Sequence, residues 1–136
     1  MAREFVWQVR VYYEDTDSGG VVYYANYLKF MERARTEWLR SLGYEQDVLN
    51  RQEGIVFVVR SVKMDFLKPG CFNQLLNVTV KLMQCGKASL TVAQKVLNQE
   101  DATLCTAEIK LACVNITSWT PCPIPASILA EISSDH

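Results

Sequence analysis

The spacing of apolar residues divides the chain into one segment of helical period and several segments that alternate. Residues 5–13, FVWQVRVYY, alternate and are rich in aromatic and β-branched side chains, which predicts a strand. From Asn26 to Leu42 apolar residues recur every three or four positions, which predicts a long amphipathic helix that ends at Gly43. The face predicted to be buried comprises Leu28, Met31, Ala34 or Arg35, Trp38 and Leu42.

The polar positions of this helix complete the pattern. Asn26 at its start is a candidate N-cap residue. Glu32 with Arg35, and Arg33 with Glu37, are opposite charges at helical spacing, which is typical of a solvated surface.

The rest of the chain predicts strands separated by turns, together with two short helices. One short helix covers residues 44–54 and ends at Gly54, and another covers residues 126–132. The predicted strands are residues 55–67, 73–84, 89–98 and 103–116. Turns at hairpin spacing favour an antiparallel sheet. We therefore predict an α+β domain in which a five-stranded sheet wraps a long central helix. The edge strands of such a sheet need cover, which pairing between subunits would supply.

Composition and charge exclude several classes of function. The 136 residues predict a single domain, 1–136, and the net charge of −1 gives no general reason to bind nucleic acid. No apolar run is long enough to span a membrane and no signal peptide is evident, so we expect a cytoplasmic protein. The five cysteines are expected to be reduced and mostly buried. The only histidine is the last residue, His136, which disfavours catalytic triads and histidine-based zinc sites.

Three acidic residues, Glu14, Asp15 and Asp17, fall within four positions and lead through Gly19 and Gly20 towards the long helix. A surface turn is the simplest interpretation. A metal site is disfavoured, because the following residues supply no further oxygen ligands at regular spacing. A third interpretation is catalytic, since a carboxylate would lie near the positive end of a helix that can bind developing negative charge. From spacing alone the turn ranks above catalysis.

Two stretches resemble the hot-dog-fold acyl-CoA thioesterases, and the resemblance covers almost the whole chain. They are VRVYYEDTDSGGVVYYANYLKFMERARTEWLRSLG, residues 9–43, and FVVRSVKMDFLKPG, residues 57–70. The chain is similar to the 4-hydroxybenzoyl-CoA thioesterase type, and more so to bacterial thioesterases associated with the Tol-Pal cell-envelope system. The resemblance implies a long helix wrapped by an antiparallel sheet, in homodimers or homotetramers with active sites between subunits.

The resemblance also implies site residues. Asp17 matches the catalytic aspartate, and the backbone at Tyr24 matches the oxyanion donor at the start of the helix. Many Tol-Pal-associated members have histidine where this chain has Tyr24, whereas the hydroxybenzoyl type has tyrosine. Residues matching the substrate-binding positions are Gly20, Val21, Asn26, Tyr27, Arg60, Gly86, Lys87 and Ser89, of which Arg60 and the hairpin of residues 86–89 are expected to contact CoA. No metal or cofactor is implied.

Two chemical roles of Asp17, nucleophile and general base, stay open at this point. The expected reaction is hydrolysis of acyl-CoA, and acyl carrier protein is a further conceivable partner. An alternative is a binding protein that holds acyl-CoA or acyl carrier protein without turnover, in an envelope or lipid-synthesis assembly. A hot-dog dehydratase is a weaker alternative, because those enzymes normally use a histidine.

Overall fold

The computed structural model describes residues 3–134 and confirms the predicted α+β architecture. Its α-helices and β-strands are β1 (Glu4–Arg10), α1 (Asn26–Ser41), α2 (Gln46–Glu53), β2 (Ile55–Phe66), β3 (Leu75–Cys85), β4 (Ser89–Leu97), β5 (Thr103–Asn115) and α3 (Ala126–Ser134). Each element matches a predicted one, with ends that differ by a few residues. The largest difference is at β1, where the chain leaves the sheet after Arg10 and forms a 3-10 turn at Tyr13–Asp15. His136 lies outside the described residues.

All five strands form one antiparallel sheet in the order β1-β3-β4-β5-β2. The strands β1 and β2 are therefore its edges. The long helix α1 packs against β3 and β1, and its buried side chains share one core with the inner face of the sheet. Burying the apolar stripe of α1 against the sheet is the main hydrophobic contact of the fold.

The buried face of α1 differs in part from the predicted one. Leu28 is 39% exposed, and Leu42 lies just beyond the end of the helix. Phe30 and Leu39, which the predicted face omitted, are fully or almost fully buried. As predicted, the helix stops before Gly43, whose φ of 95° is a left-handed conformation that favours glycine.

The sequence predicted two places for Arg35, on the buried face or in a solvated pair with Glu32, and the structure shows the buried one. Its side chain is buried, and its Nη1 donates a hydrogen bond of 3.0 Å to Oε1 of Gln94, a residue of β4 that is also buried. The Gln94 amide in turn donates to the backbone carbonyl of Met31 at 3.1 Å. Burial lowers the pKa of Arg35, and the charge of Glu32 acts against that effect. The predicted partner of Arg33, Glu37, instead forms an ion pair with Arg40.

A β-bulge at Arg60 interrupts the pairing of β2 with β5. Val59 pairs with Leu111, whereas Ser61 pairs with Lys110, so Arg60 is the extra residue. The bulge shifts the alternation by one position, and Val62 then pairs with the buried Ile109. Because paired residues of a sheet point to the same face, apolar side chains stay on the inner face of β2 on both sides of the bulge. The residues concerned are Phe57, Val59, Val62, Met64 and Phe66.

We expect Gln94→Leu to lower the free energy of unfolding by about 2–4 kcal/mol, because the buried guanidinium of Arg35 loses its acceptor. The double variant Arg35→Met/Gln94→Leu should recover much of this loss, since no buried charge is then left unpaired. Urea unfolding of the variants measures both effects. The matched control is Gln84→Leu, which makes the same change at an exposed position of β3. Equal, small effects of both glutamine substitutions would contradict the structural role of Gln94.

Candidate active site at the start of the long helix

The acidic stretch folds into a tight hairpin that leads directly into α1. Thr16 and Val22 form an antiparallel bridge. Within it, the Asp17 N–H donates to the carbonyl of Val21 at 2.9 Å, and the Gly20 N–H donates to the carbonyl of Asp17 at 3.1 Å. Gly20 has a φ of 78°, a backbone conformation that residues other than glycine rarely adopt. The turn interpretation is therefore right for the backbone, and it places Asp17 at one end of the turn.

Asp15 connects this hairpin to the helix. Its Oδ2 accepts a hydrogen bond of 2.8 Å from the Tyr12 N–H, which closes the 3-10 turn. Its backbone carbonyl accepts two more, from the Tyr23 N–H and from Nδ2 of Asn26, both at 2.9 Å. The prediction of Asn26 as the N-cap residue is therefore wrong. Asn26 is the first residue of α1, and its side chain anchors the helix to the loop. The N-cap position belongs to Ala25.

The carboxylate of Asp17 is exposed, and one of its oxygens has a local partner. Oδ1 accepts a hydrogen bond of 2.8 Å from the Gly19 N–H. Among residues 3–134, none donates a hydrogen bond to Oδ2. The contact with Gly19 fixes the side chain against its own turn, which leaves one carboxylate oxygen available to a substrate or a water molecule.

The two residues immediately before α1, Tyr24 and Ala25, present backbone N–H groups that are free to bind an anion or a carbonyl oxygen. The earliest bonds of the first turn of α1 are Asn26 N–H to the Tyr23 carbonyl at 2.8 Å and Tyr27 N–H to the Tyr24 carbonyl at 3.3 Å. Within the described part of the chain, no group accepts a hydrogen bond from the N–H of Tyr24 or Ala25. The Ala25 side chain cannot cap the helix, so the partial positive charge at the N-terminus of α1 stays uncompensated.

A mainly apolar pocket of about 250 Å³ opens beside the helix start. It is lined by Val22, Tyr24, Tyr27, Phe66, Leu67, Lys68 and Pro69. Tyr27 is buried, its hydroxyl accepts a hydrogen bond of 2.9 Å from the Gly70 N–H, and burial raises its pKa. Tyr27 is therefore a neutral core aromatic residue that also forms a pocket wall.

Tyr24 is at the mouth of this pocket. Its side chain is 60% exposed, and its ring meets the ring of Phe66 edge to face, with centroids 5.8 Å apart. A hydrogen bond with Tyr24 raises the pKa of the neighbouring Tyr23. The pocket thus has the aromatic rings of Tyr24 and Phe66 at its entrance, and one of its lining residues, Tyr24, has a free backbone N–H.

The structure brings together six of the predicted site residues and separates the other four from them. The six, at the hairpin and the start of α1, are Asp17, Gly20, Val21, Tyr24, Asn26 and Tyr27. Arg60 lies at the bulge in the middle of β2. Gly86, Lys87 and Ser89 lie in the β3–β4 hairpin, at the end of the sheet where β2 begins.

The separation within one chain follows from the strand register. Ser89 pairs with Ala112 of β5, whereas Phe66, beside the pocket, pairs with Cys105. The two rows are seven positions apart along β5, which is about 23 Å along a strand. In the hairpin itself, Gly86 donates to the Ser89 carbonyl at 2.8 Å, and Lys87 is exposed.

Sequence reasoning missed much of the pocket wall. The segment of Phe66 to Pro69 lines the pocket, although the sequence predicts there only the end of the strand of residues 55–67. The available signal was the apolar pair Phe66–Leu67 immediately before Lys68–Pro69, since apolar residues at a strand end need cover. Which element they face depends on long-range pairing, which local spacing does not encode.

The described residues provide neither a metal-binding cluster nor a membrane-spanning helix. Among residues 3–134, no group of three or more histidine, cysteine, aspartate or glutamate side chains is arranged to hold a metal ion. Over the same residues, no helix is both long enough and apolar enough to cross a membrane.

Comparisons with known proteins show the family to which the chain is related. Residues 11–132 match the family model of the thioesterase-like superfamily. The chain is 41% identical over 127 residues to the acyl-CoA thioester hydrolase YbgC of Escherichia coli, covering 93% of this chain and 94% of that protein. It is 38% identical over 126 residues to the acyl-CoA thioesterase YbgC of Haemophilus influenzae, covering 93% and 92%.

A solved structure shares the fold as well as the sequence. The crystal structure of "Probable Thioesterase from Bartonella henselae" superposes with a TM-score of 0.84 at 34% identity, covering 92% of this chain and 100% of that one. The five-stranded antiparallel sheet with its long helix is thus the hot-dog fold. The chain belongs to the thioesterase-like superfamily.

Proposed function

We propose that this protein hydrolyses the thioester bond of acyl-CoA, which gives a free carboxylic acid and CoA. Membership of the thioesterase-like superfamily and the similarity to YbgC hydrolases support a thioester hydrolase. The observation that carries the proposal is local. The Asp17 carboxylate has one free oxygen, and the backbone N–H groups of Tyr24 and Ala25 are free. Only a short hairpin segment lies between these residues.

The helix start supplies the electrophilic half of the mechanism. The carbonyl oxygen of the thioester accepts a hydrogen bond from the Tyr24 N–H, and the uncompensated end of α1 stabilises the negative charge that develops there. One such donor is worth about 3–4 kcal/mol of barrier in other enzymes. The side chain of Tyr24 is not required for this role, because the donor is its backbone.

Asp17 supplies the other half. Its free oxygen either attacks the thioester carbon, which forms an anhydride with the enzyme that water then hydrolyses to the free acid and the Asp17 carboxylate, or it removes a proton from a water molecule that attacks the thioester carbon directly. The bond between Gly19 N–H and Oδ1 orients the carboxylate in both cases. The CoA thiolate leaves and is protonated from solvent.

The apolar pocket beside Tyr24 is the candidate site for the acyl group. Its walls are aromatic and aliphatic apart from Lys68, so it favours an apolar acyl group over a charged one. Phe66 at its edge is 50% exposed in the single chain. An acyl group that covers this ring would remove apolar surface from water and so contribute to binding.

Pairing of two copies along β2 would bring the separated CoA-binding residues to the pocket. Strand β2 is an edge of the sheet, and its inner-face residues Val59, Val62 and Phe66 are 49%, 39% and 50% exposed. Antiparallel pairing of two β2 strands about the bulge at Arg60 places the first half of the partner's strand opposite Phe66. The partner's β3–β4 hairpin then lies three strand spacings away, about 14 Å, compared with about 23 Å within one chain.

We therefore propose a homodimer with two composite sites, alone or within a homotetramer. In each site, one subunit supplies Asp17, Tyr24 and the pocket, and the other supplies Lys87 and its hairpin. Arg60 lies near the two-fold axis of this arrangement. The exposed ammonium of Lys87 suits the phosphates of CoA, which need cations or free N–H groups.

We expect Asp17→Asn to fold normally and to lower kcat by about 100-fold or more, because an amide is neither a base nor a nucleophile at this position. The asparagine oxygen still accepts the hydrogen bond from Gly19, so the hairpin should persist. Release of CoA thiol from short, long and aromatic acyl-CoA measures turnover. Single-turnover hydrolysis in ¹⁸O-water then tests the nucleophilic role, since label in the Asp17 carboxylate requires attack of water on the aspartyl carbonyl of an anhydride.

The matched control is Glu14→Gln, which neutralises an exposed acid three residues away in the same loop. This variant should keep its turnover within a few-fold of the starting protein. Turnover of Asp17→Asn that is equally close to the starting protein would remove Asp17 from the mechanism. Saturable binding of CoA without thiol release from any acyl-CoA would instead favour a binding protein.

The composite site can be tested by mixing two defective variants. Lys87→Glu should lower kcat/KM through a higher KM, because it places a negative charge near the CoA phosphates. When Asp17→Asn and Lys87→Glu subunits are unfolded together and refolded, half of the dimers are mixed, and each has one intact composite site. About a quarter of the original activity is expected to return.

The mixing experiment has a different result if the active site is not shared between subunits. If each active site used residues of one chain only, every site in a mixed dimer would carry one defect, and no activity would return. The control is each variant unfolded and refolded alone, which measures losses from the procedure. Sedimentation of the starting protein determines whether the assembly is a dimer or a tetramer.

A further inference from the structure

Two cysteines that the proposed mechanism does not use lie side by side at the end of the sheet farthest from the pocket. Cys113 is on β5, and Cys122 is on the segment that returns along it. Their sulfur atoms are 3.7 Å apart, and both are free thiols. The Cys122 N–H donates to the Cys113 carbonyl at 2.9 Å, and the next pair outward, Val114 and Pro121, forms an antiparallel bridge.

We propose that Cys113 and Cys122 form a reversible disulfide, which makes this pair an oxidative modification site. Directly paired residues of antiparallel strands have Cα atoms about 5.5 Å apart, within the range of about 4.4–6.8 Å that a disulfide needs. The sulfurs have to approach by less than about 2 Å to reach bonding distance. Small side-chain rotations supply this movement, so the backbone pairing can remain intact.

The oxidant is a low-molecular-weight disulfide, for which glutathione disulfide is the probe. The thiolate of the partly exposed Cys122 attacks one sulfur of the probe, forms a mixed disulfide and releases one glutathione thiol. Cys113 then loses its proton to solvent and attacks the Cys122 sulfur, which releases the second glutathione thiol. Two protein thiols are oxidised by two electrons, and one glutathione disulfide is reduced to two thiols.

Burial controls the second step. Burial and the neighbouring Cys122 raise the pKa of the Cys113 thiol to about 12. Since the thiolate is the reactive form, closure of the bond should accelerate as pH rises from 7 to 9. Cys105 provides a comparison within the chain, because burial raises its pKa to about 12 too, but no other cysteine contacts its sulfur among the described residues.

The bond would lie against the β3–β4 hairpin. The Cys113 N–H donates to the Ala88 carbonyl at 2.8 Å, and the Ile124 N–H donates to the Lys87 carbonyl at 2.9 Å. The disulfide would therefore join the two elements that hold the backbone of residues 87–88. Formation of the bond does not rest on the proposed function, whereas an effect on KM for acyl-CoA does.

The test uses the full chain with Cys71→Ser and Cys85→Ser, which remove the exposed cysteine and one partly exposed cysteine. The protein is incubated with glutathione disulfide, its free thiols are blocked, and it is digested with trypsin. No lysine or arginine follows Lys110, so one peptide of residues 111–136 contains both Cys113 and Cys122 and no other cysteine. We expect this peptide to lose about 2 Da, to regain it with dithiothreitol, and to form faster at pH 9 than at pH 7.

Two control variants in the same background locate the bond. In Cys122→Ser and in Cys113→Ala no loss of mass should occur, and the Cys113→Ala variant should instead retain glutathione on Cys122. Cys122→Ser changes a partly exposed side chain, so it remains informative if the core variant folds poorly. Stable glutathione on Cys122 with Cys113 present, or a bond that includes Cys105, would overturn the proposal. Bond formation without any change in KM would leave the modification site intact and contradict only its effect on the hairpin.

Discussion

The backbone carbonyl of Asp15 accepts hydrogen bonds from both the Tyr23 N–H and the Asn26 side chain, and this junction determines where the long helix begins. With Asn26 bonded outward to the loop, its side chain cannot fold back to cap the first turn. The N–H groups of Tyr24 and Ala25, immediately before the helix, also have no partner in the described chain. The partial positive charge at the N-terminus of α1 is exposed beside the hairpin that carries Asp17. The candidate mechanism depends on this proximity.

The three acidic residues of the loop, Glu14, Asp15 and Asp17, differ in their contacts. Asp15 holds the loop with its side chain and its carbonyl, whereas the Asp17 carboxylate makes one contact, with the Gly19 N–H. Glu14 is exposed. A turn alone would need only one of these acids, so the exposed carboxylate of Asp17 is available for a second role of this loop.

Most of the fold could be predicted from the sequence, because helix and strand periods are local properties. The errors arose where a partner distant in sequence decides the outcome. Spacing alone left Arg35 between the buried face and a solvated pair with Glu32, and Gln94, a residue 59 positions away, provides the acceptor that makes its burial tolerable. The same limit applies to the site. The acidic hairpin and helix start were predictable as neighbours in sequence, but the wall at Phe66 and the distance to Lys87 follow from strand register.

The bulge at Arg60 has a consequence for how this chain can change in evolution. Because one additional residue keeps Val62, Met64 and Phe66 on the inner face, loss of that residue would turn the second half of β2 inside out. The segment can tolerate single substitutions, whereas insertion or deletion of one residue would reverse the faces on which its side chains lie. Homologues should therefore vary in length at the loops between strands and keep a constant count between Phe57 and Phe66.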